Sequence, residues 1–250
     1  MEKPQIEIRE CATPEQLHEC VEIQRRAFSS SDLEVSPARH LIVTRSAGGW
    51  TLGAYHRERL VGFVLSVPMF RGNEKALYSH MTGVDPDYQN FGIGARLKWA
   101  QRERAISEGI RFIKWTFQPV LPRNAFFNLE RLGATISQYV PNFYGTDCDM
   151  NLEPGEVRGV PSDRLFCEWE LESPKVVALS KGEPWDETVE VKRRIVIPAD
   201  WKSLLHDDTK GAIAEQERIK GEFLEAFSQG LVAKGFERSE TAPSYLLFEK

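Results

Sequence analysis

The run Gln89-Asn90-Phe91-Gly92-Ile93-Gly94 sets two glycines one residue apart, where a strand-like stretch ending at Val84 gives way to a helical one. A helix beginning there leaves the N–H groups of its first turn without partners and carries partial positive charge at that end. Glycines at the entry let the backbone take positive φ and approach a ligand closely. The chemistry open to such a loop is phosphate binding. The loop is too short for a nucleotide-hydrolase phosphate loop and lacks its Lys-Ser/Thr pair. A dinucleotide fingerprint would want a third glycine at residue 97, which is Leu97, and an acidic residue closing the next strand, where Phe117-Gln118 stand.

The elements that must hold this loop can be read from hydrophobic period and end signals. Gln5 to Arg9 alternates as a short strand. A helix follows, with Thr13 as cap, Pro14 at its first position and Gln16 completing a capping box. Ser36-Pro37 opens a second, shorter helix. Trp50–Tyr55 and Leu60–Val67 read as a hairpin turned at Arg57-Glu58-Arg59, with Pro68 ending or bending the second strand. Lys75–Val84 is a strand, residues from about Ala95 to Glu108 a helix closed by Gly109, and Phe112–Phe117 a strand. Asn124–Leu132 is a short helix closed by Gly133. Strand signals fade across Tyr139–Gly145, Cys148–Ser162 reads as a long loop, and Leu165–Leu171 as a strand. After a connector over 173–187 come a strand (Val189–Ile197), a helix (about Ile213–Phe227) and two strands (Leu231–Phe236, Tyr245–Phe248). On that last helix Ile219, Phe223 and Phe227 form a core-facing stripe.

Composition narrows the function. The chain has 250 residues with a hydrophobic fraction of 41% and a charged fraction of 28%, which excludes a disordered chain. Its formal net charge of −5 argues against a nucleic-acid partner, which usually demands a basic surface. No apolar run reaches the roughly 20 residues of a bilayer span, so no membrane role is expected. The opening residues are charged and alternating rather than a signal peptide. The four cysteines, Cys11, Cys20, Cys148 and Cys167, form no CxxC pair, and the five histidines are scattered; reduced thiols in a cytoplasmic protein without a metal are expected.

The loop and its setting resemble the GNAT superfamily of N-acetyltransferases. Gln89-Asn90-Phe91-Gly92-Ile93-Gly94 matches that superfamily's Q/R-x-x-G-x-G/A signature, and Val84-Asp85-Pro86-Asp87-Tyr88 its run-in. The element order agrees over about residues 5–172. Ser79-His80-Met81, Trp115-Thr116-Phe117 with Arg123-Asn124, Pro141 to Gly145, and Asp163-Arg164 before Glu168-Trp169 are similar to an uncharacterised subgroup of acetyltransferases.

The resemblance implies an α/β (α+β) fold with a mixed, mainly antiparallel central sheet flanked by helices. Residues 1–172 would form the acetyltransferase domain and 173–250 a C-terminal α+β extension, which could form a lid, a substrate wall or a dimer surface. It also implies acetyl-CoA as co-substrate, held by the backbones of Gly83, Val84, Gln89, Asn90, Phe91, Gly92, Ile93, Gly94 and Ala95. The expected reaction moves an acetyl or short acyl group to a primary amine, on a small molecule because no peptide-binding cue is visible; the alternative is a non-catalytic acyl-CoA-binding module.

If the strand alternates, Tyr78, His80, Thr82 and Val84 share a face, and His80, with a reference pKa of about 6.5, is the candidate base. The superfamily's usual acid, a tyrosine, falls on Leu129 by a count back from Gly133, so Tyr139 and Tyr144 become candidates for protonating the leaving thiolate. Its helix asparagine falls on Pro122, with Asn124 as the substitute. Arg123 and Arg164 could pair with substrate or CoA anions, and Asp147 and Asp149 could hold an amine.

Overall fold

The computed structural model describes residues 4–28, 34–146 and 160–250. It divides into two compact units, Met1–Lys114 and Trp115–Lys250.

The first unit holds β1 (Ile6–Glu10), α1 (Pro14–Phe28), α2 (Ala38–Ser46), β2 (Trp50–His56), β3 (Arg59–Arg71), β4 (Glu74–Val84), a 3-10 turn (Pro86–Tyr88), α3 (Ile93–Ser107) and the start of β5 (Phe112–Phe117). The strands lie in the order β1-β2-β3-β4-β5. The first four pair antiparallel, and β5 joins β4 in parallel at Leu77↔Ile113 and Tyr78↔Lys114. The expected capping box forms: Thr13 Oγ1 accepts from Gln16 N–H, and Gln16 Oε1 accepts from Thr13 N–H at 3.1 Å. Helices α1 and α2 cover one face of this sheet, where Leu17, Cys20, Ile23 and Leu41 pack with Tyr55, Phe63 and Leu65. Helix α3 covers the other face, with Gln101 Nε2 donating to Ser66 Oγ and Ser79 Oγ at 2.9 and 3.1 Å.

Two expectations change here. Pro68 does not end β3, which runs on to Arg71 paired with β4. β2 stops pairing at Trp50↔Ser66, so from there β3 is an edge strand on that side and a missing N–H costs no ladder bond. The alternation of β4 is also broken. Leu65 pairs with Met81 and Ser66 with Ser79, which leaves His80 as an extra, bulged residue.

In the second unit, α4 (Pro122–Phe126) runs into a π-helical turn (Phe127–Arg131), followed by β6 (Thr135–Val140), β7 (Arg164–Glu170), α5 (Pro174–Ser180), β8 (Arg193–Val196), α6 (Trp201–Asp207), α7 (Thr209–Ser228), β9 (Leu231–Glu237) and β10 (Ser244–Glu249). The strand order is β7-β6-β9-β10-β8, with every described pairing antiparallel. The fading signal at Tyr139 conceals β6, and the connector contains α5. The hydrophobic stripe of α7 is present: Ile219 and Phe223 are fully buried, and Phe223 packs edge-on to Tyr245 at 5.0 Å. No helix among the described residues is long and apolar enough to cross a membrane.

Candidate active site

The glycine loop lies wholly in the first unit. Asp85 anchors it from below. Its backbone N–H donates to Val61 O, and its Oδ1 accepts from Asp87 N–H at 3.1 Å, starting the 3-10 turn. The Asp85 side chain is buried, and its Oδ2 accepts from Arg26 Nη1 at 2.7 Å and Arg59 Nη2 at 3.0 Å. Arg26 also reaches Asp87, and the Tyr88 hydroxyl meets His56 Nδ1 at 2.9 Å. Gln89 then folds back, its Nε2 donating to Val84 O at 3.2 Å. These contacts tie the loop to α1, β2, β3 and β4.

Above that anchor the backbone opens. Asn90 and Gly92 both take positive φ, at 68° and 77°. Gly92 caps α3 without any side-chain cap bond, and the first turn of α3 carries no acidic residue. Among the described residues, the N–H groups of Phe91, Gly92, Ile93, Gly94 and Ala95 find no acceptor; the first bond of the helix is Arg96 N–H to Gly92 O. A Cβ built on Gly92 would meet nothing within 4 Å, and one on Gly94 would meet only Val84 Cγ2 at 4.0 Å. Unpaired, convergent N–H donors at a helix N-terminus, with open space above them, fit a diphosphate.

Beside the loop, the pairing of β4 with the first unit's part of β5 ends at Tyr78↔Lys114, and β4 continues through Ser79–Val84. This stretch leads back to His80. Because of the bulge, His80 lies on the α1–α2 face with Met81, whereas Ser79 turns to Lys98 and Gln101 of α3 and Val84 to Gly62 and Gly94. The expected shared face for Tyr78, His80, Thr82 and Val84 is therefore corrected: Tyr78 and His80 fall on one side, and Thr82 and Val84 on the other. His80 Nε2 sits 3.4 Å from Ser36 Oγ, and its ring lies edge-on to His40 at 5.7 Å. Ser36 is itself fixed, its N–H donating to Gln24 Oε1 and its C=O accepting from Gln24 Nε2. Burial, and then the neighbouring His40, hold the His80 pKa below the ordinary histidine value. The neutral imidazole is thereby favoured near neutrality. Neither Ser36 nor His40 carries a motif that sequence reasoning could have used.

The remaining candidates sit in the second unit. Tyr139 is buried, and its hydroxyl donates to Asp163 Oδ2. Burial, and then that hydrogen bond, push its pKa far above the ordinary tyrosine value, which favours its keeping its proton. Tyr144 is exposed, stacked edge-on to Phe143 at 4.6 Å, with the Arg164 guanidinium 4.9 Å from its ring centre and Thr116 Oγ1 3.5 Å from its hydroxyl. Arg164 is thereby engaged on Tyr144. Asn124 is exposed and does not cap α4, whose N-cap is Leu121. Leu129, in the place of the usual tyrosine, is fully buried. Asp147 and Asp149 lie outside the described residues.

Residues 17–134 match the family model described as the acetyltransferase (GNAT) family. No curated protein matches the chain in sequence. Among solved structures, the chain is similar to a protein of Acinetobacter baylyi ADP1 assigned as an acetyltransferase, at TM-score 0.54 and 16% identity, covering 75% of this chain and 99% of that one. It is also similar to the ribosomal-protein-S18-alanine N-acetyltransferase of Escherichia coli (TM-score 0.52, 16% identity, 68% and 96% covered). A third likeness is to an aminoglycoside 6'-acetyltransferase type Ii (TM-score 0.51, 18% identity, 67% and 98% covered). At these identities the likeness is one of fold.

Proposed function

We propose that this chain, whose residues 17–134 match the GNAT acetyltransferase family model, belongs to that family and transfers an acetyl or other short acyl group to a primary amine of a small molecule. Acetyl-CoA is the family's co-substrate and supplies the acyl thioester. The observation that carries the reading is the row of unpaired N–H groups from Phe91 to Ala95 beside the end of β4. These amides would hold the pyrophosphate, and the edge of β4 from Ser79 to Val84, Gly83 included, would pair with the pantetheine arm.

The chain's own residues supply the proton chemistry. His80, held neutral, removes one proton from the incoming ammonium; the freed nitrogen lone pair bonds to the thioester carbon, the C–S bond breaks, and the nitrogen's second excess proton passes through water to the departing thiolate. Ser36 fixes the imidazole by its contact with Nε2. A backbone N–H near Val84 polarises the carbonyl. The thiolate leaves with a pKa not far from that of free cysteine, about 8.5, so water can protonate it; Tyr144 is the candidate that could assist. Asn124 remains a candidate for contacting CoA.

A small-molecule acceptor is supported by the absence of any peptide-binding cue in the sequence, and one fold neighbour is named for an aminoglycoside and another for a protein. The cytoplasmic reading is supported by the buried thiols of Cys11 and Cys20. We retain the boundary near residue 172 as the limit of the acyl-transfer part, with the extension giving acceptor specificity. The test is release of free thiol from acetyl-CoA across an amine panel. Amine-dependent release supports the transferase; binding of acetyl-CoA without turnover on any amine would turn the reading to a non-catalytic CoA-binding module.

A further inference from the structure

The second unit contains a cavity of about 160 Å³ between the end of β5, the segment entering β7, α6 and α7. At roughly 30 Å³ per water it has room for about five water-sized groups. Its walls are largely apolar, with Val120, Val160, Trp201 and Leu205 among them. Gln118, Asp163, Lys202 and Gln216 interrupt that lining, and two of them are almost wholly buried: Asp163 at 2% exposure and Gln216 at 4%.

Asp163 has both oxygens engaged, but by neutral donors alone, the Tyr139 hydroxyl and Asn142 N–H at 2.8 Å. Among the described residues no cation forms an ion pair with it. Lys202 lines the same cavity but is solvent-exposed and makes no ion pair with Asp163. Gln216 donates from Nε2 to Pro161 O at 2.7 Å, while its Oε1 has no partner among the described residues. A buried carboxylate is normally paired with a cation. A primary ammonium answers that demand, and its three N–H donors leave one for the Gln216 amide oxygen on the same wall. The apolar walls suit a short alkyl body, and the ring of Trp201 suits a cation beside it. The charge on Lys202 disfavours a second positive centre in the ligand.

We propose that this cavity is a binding site for a small primary monoamine, with the ammonium directed at Asp163 and Gln216. The site is argued from the second unit alone and does not depend on the acyl-transfer reading. The ligand can be the acceptor of acyl transfer or an effector, and the chemistry of recognition is the same.

The test is ligand-observed NMR titration of the full chain, without acetyl-CoA, using n-butylammonium as probe and butan-1-ol as its uncharged counterpart. The ammonium should bind at least tenfold more tightly than the alcohol. Asp163→Asn should weaken it at least tenfold. Because Asp163 also holds Tyr139 and Asn142, Leu205→Trp serves as a second variant, which fills the cavity and should abolish binding without touching the carboxylate. Equal binding of the alcohol, or undiminished ammonium binding in Leu205→Trp, overturns the proposal. Once binding is established, added acetyl-CoA separates the two sources: conversion of the probe to N-butylacetamide marks an acceptor, and its persistence unmodified marks an effector.

Discussion

Ser36 Oγ lies 3.4 Å from His80 Nε2, and the same serine is clamped on both sides of its backbone by Gln24. The imidazole is therefore positioned by a residue 44 places away in sequence, from the loop that leads into α2. His80→Gln should lower kcat by about 10²–10⁴-fold, the usual worth of a general base, and leave acetyl-CoA affinity unchanged. Ser36→Ala should lower kcat by a smaller factor, with acetyl-CoA binding again intact. A His80→Gln enzyme turning over at the wild-type rate in steady-state assays would remove the base assignment.

The depressed pKa of His80 sets the direction of the pH profile. With His80 as the proposed base, the neutral form is the one required, and it prevails above that pKa. The rate should be level near neutrality and fall as pH drops, with a midpoint below the ordinary value of about 6.5. The limb in kcat/KM reports the free enzyme and should vanish in His80→Gln. A midpoint above about 6.5 would contradict a histidine held neutral by burial.

Gly92 combines a φ of 77° with empty space where a side chain would stand. Gly92→Asp places a carboxylate over the unpaired amides and should weaken acetyl-CoA binding at least tenfold by calorimetry. Gly92→Asn tolerates left-handed backbone better than most residues and carries no charge, so it should weaken binding less. Equal affinities for the aspartate variant and the wild type would move the pyrophosphate elsewhere.

The parts of this site that were legible in sequence are those whose chemistry is local. Thr13 and Gln16 announce a capping box four residues long, and it forms. The glycine loop between β4 and α3 is likewise a short-range pattern. His80 was put on the face of Val84 by strict alternation, whereas a bulge turns it the other way. A bulge arises from pairing with β3, and nothing within β4 itself encodes it. Asp85 and Asp163 were hidden for the same reason. The arginines facing Asp85 stand 59 and 26 residues away, and the tyrosine facing Asp163 stands 24 residues away.

Asp85 should be a stability residue as much as a binding one. Its carboxylate is almost wholly buried, and both arginines that reach it are about half exposed. Asp85→Ala strands no buried cation, because the arginines can turn to water, but it removes two charge-assisted bonds and the cap of the 3-10 turn. A loss of about 2–4 kcal/mol in urea unfolding is expected. The KM for acetyl-CoA should rise as the loop loosens, with kcat less affected. An unchanged KM in a folded variant would show that the anchor does not govern the loop.

Tyr139 separates packing from catalysis. Its hydroxyl serves Asp163, and burial raises its pKa away from any useful acid. Tyr139→Phe keeps the ring and removes one donor from a buried carboxylate, which should cost about 1–3 kcal/mol of stability. The acyl-transfer kcat should change little, since the Tyr139 proton takes no part in the step. Tyr144→Phe is the contrasting variant: its hydroxyl is exposed, and its loss should leave stability within about 0.5 kcal/mol. If the thiolate takes its proton from Tyr144, kcat falls in that variant alone, most steeply with weakly basic acceptors. If it takes it from water, both variants turn over as the wild type does. A large fall in kcat for Tyr139→Phe at unchanged stability would return the acid role to Tyr139 and overturn the assignment of its hydroxyl to Asp163.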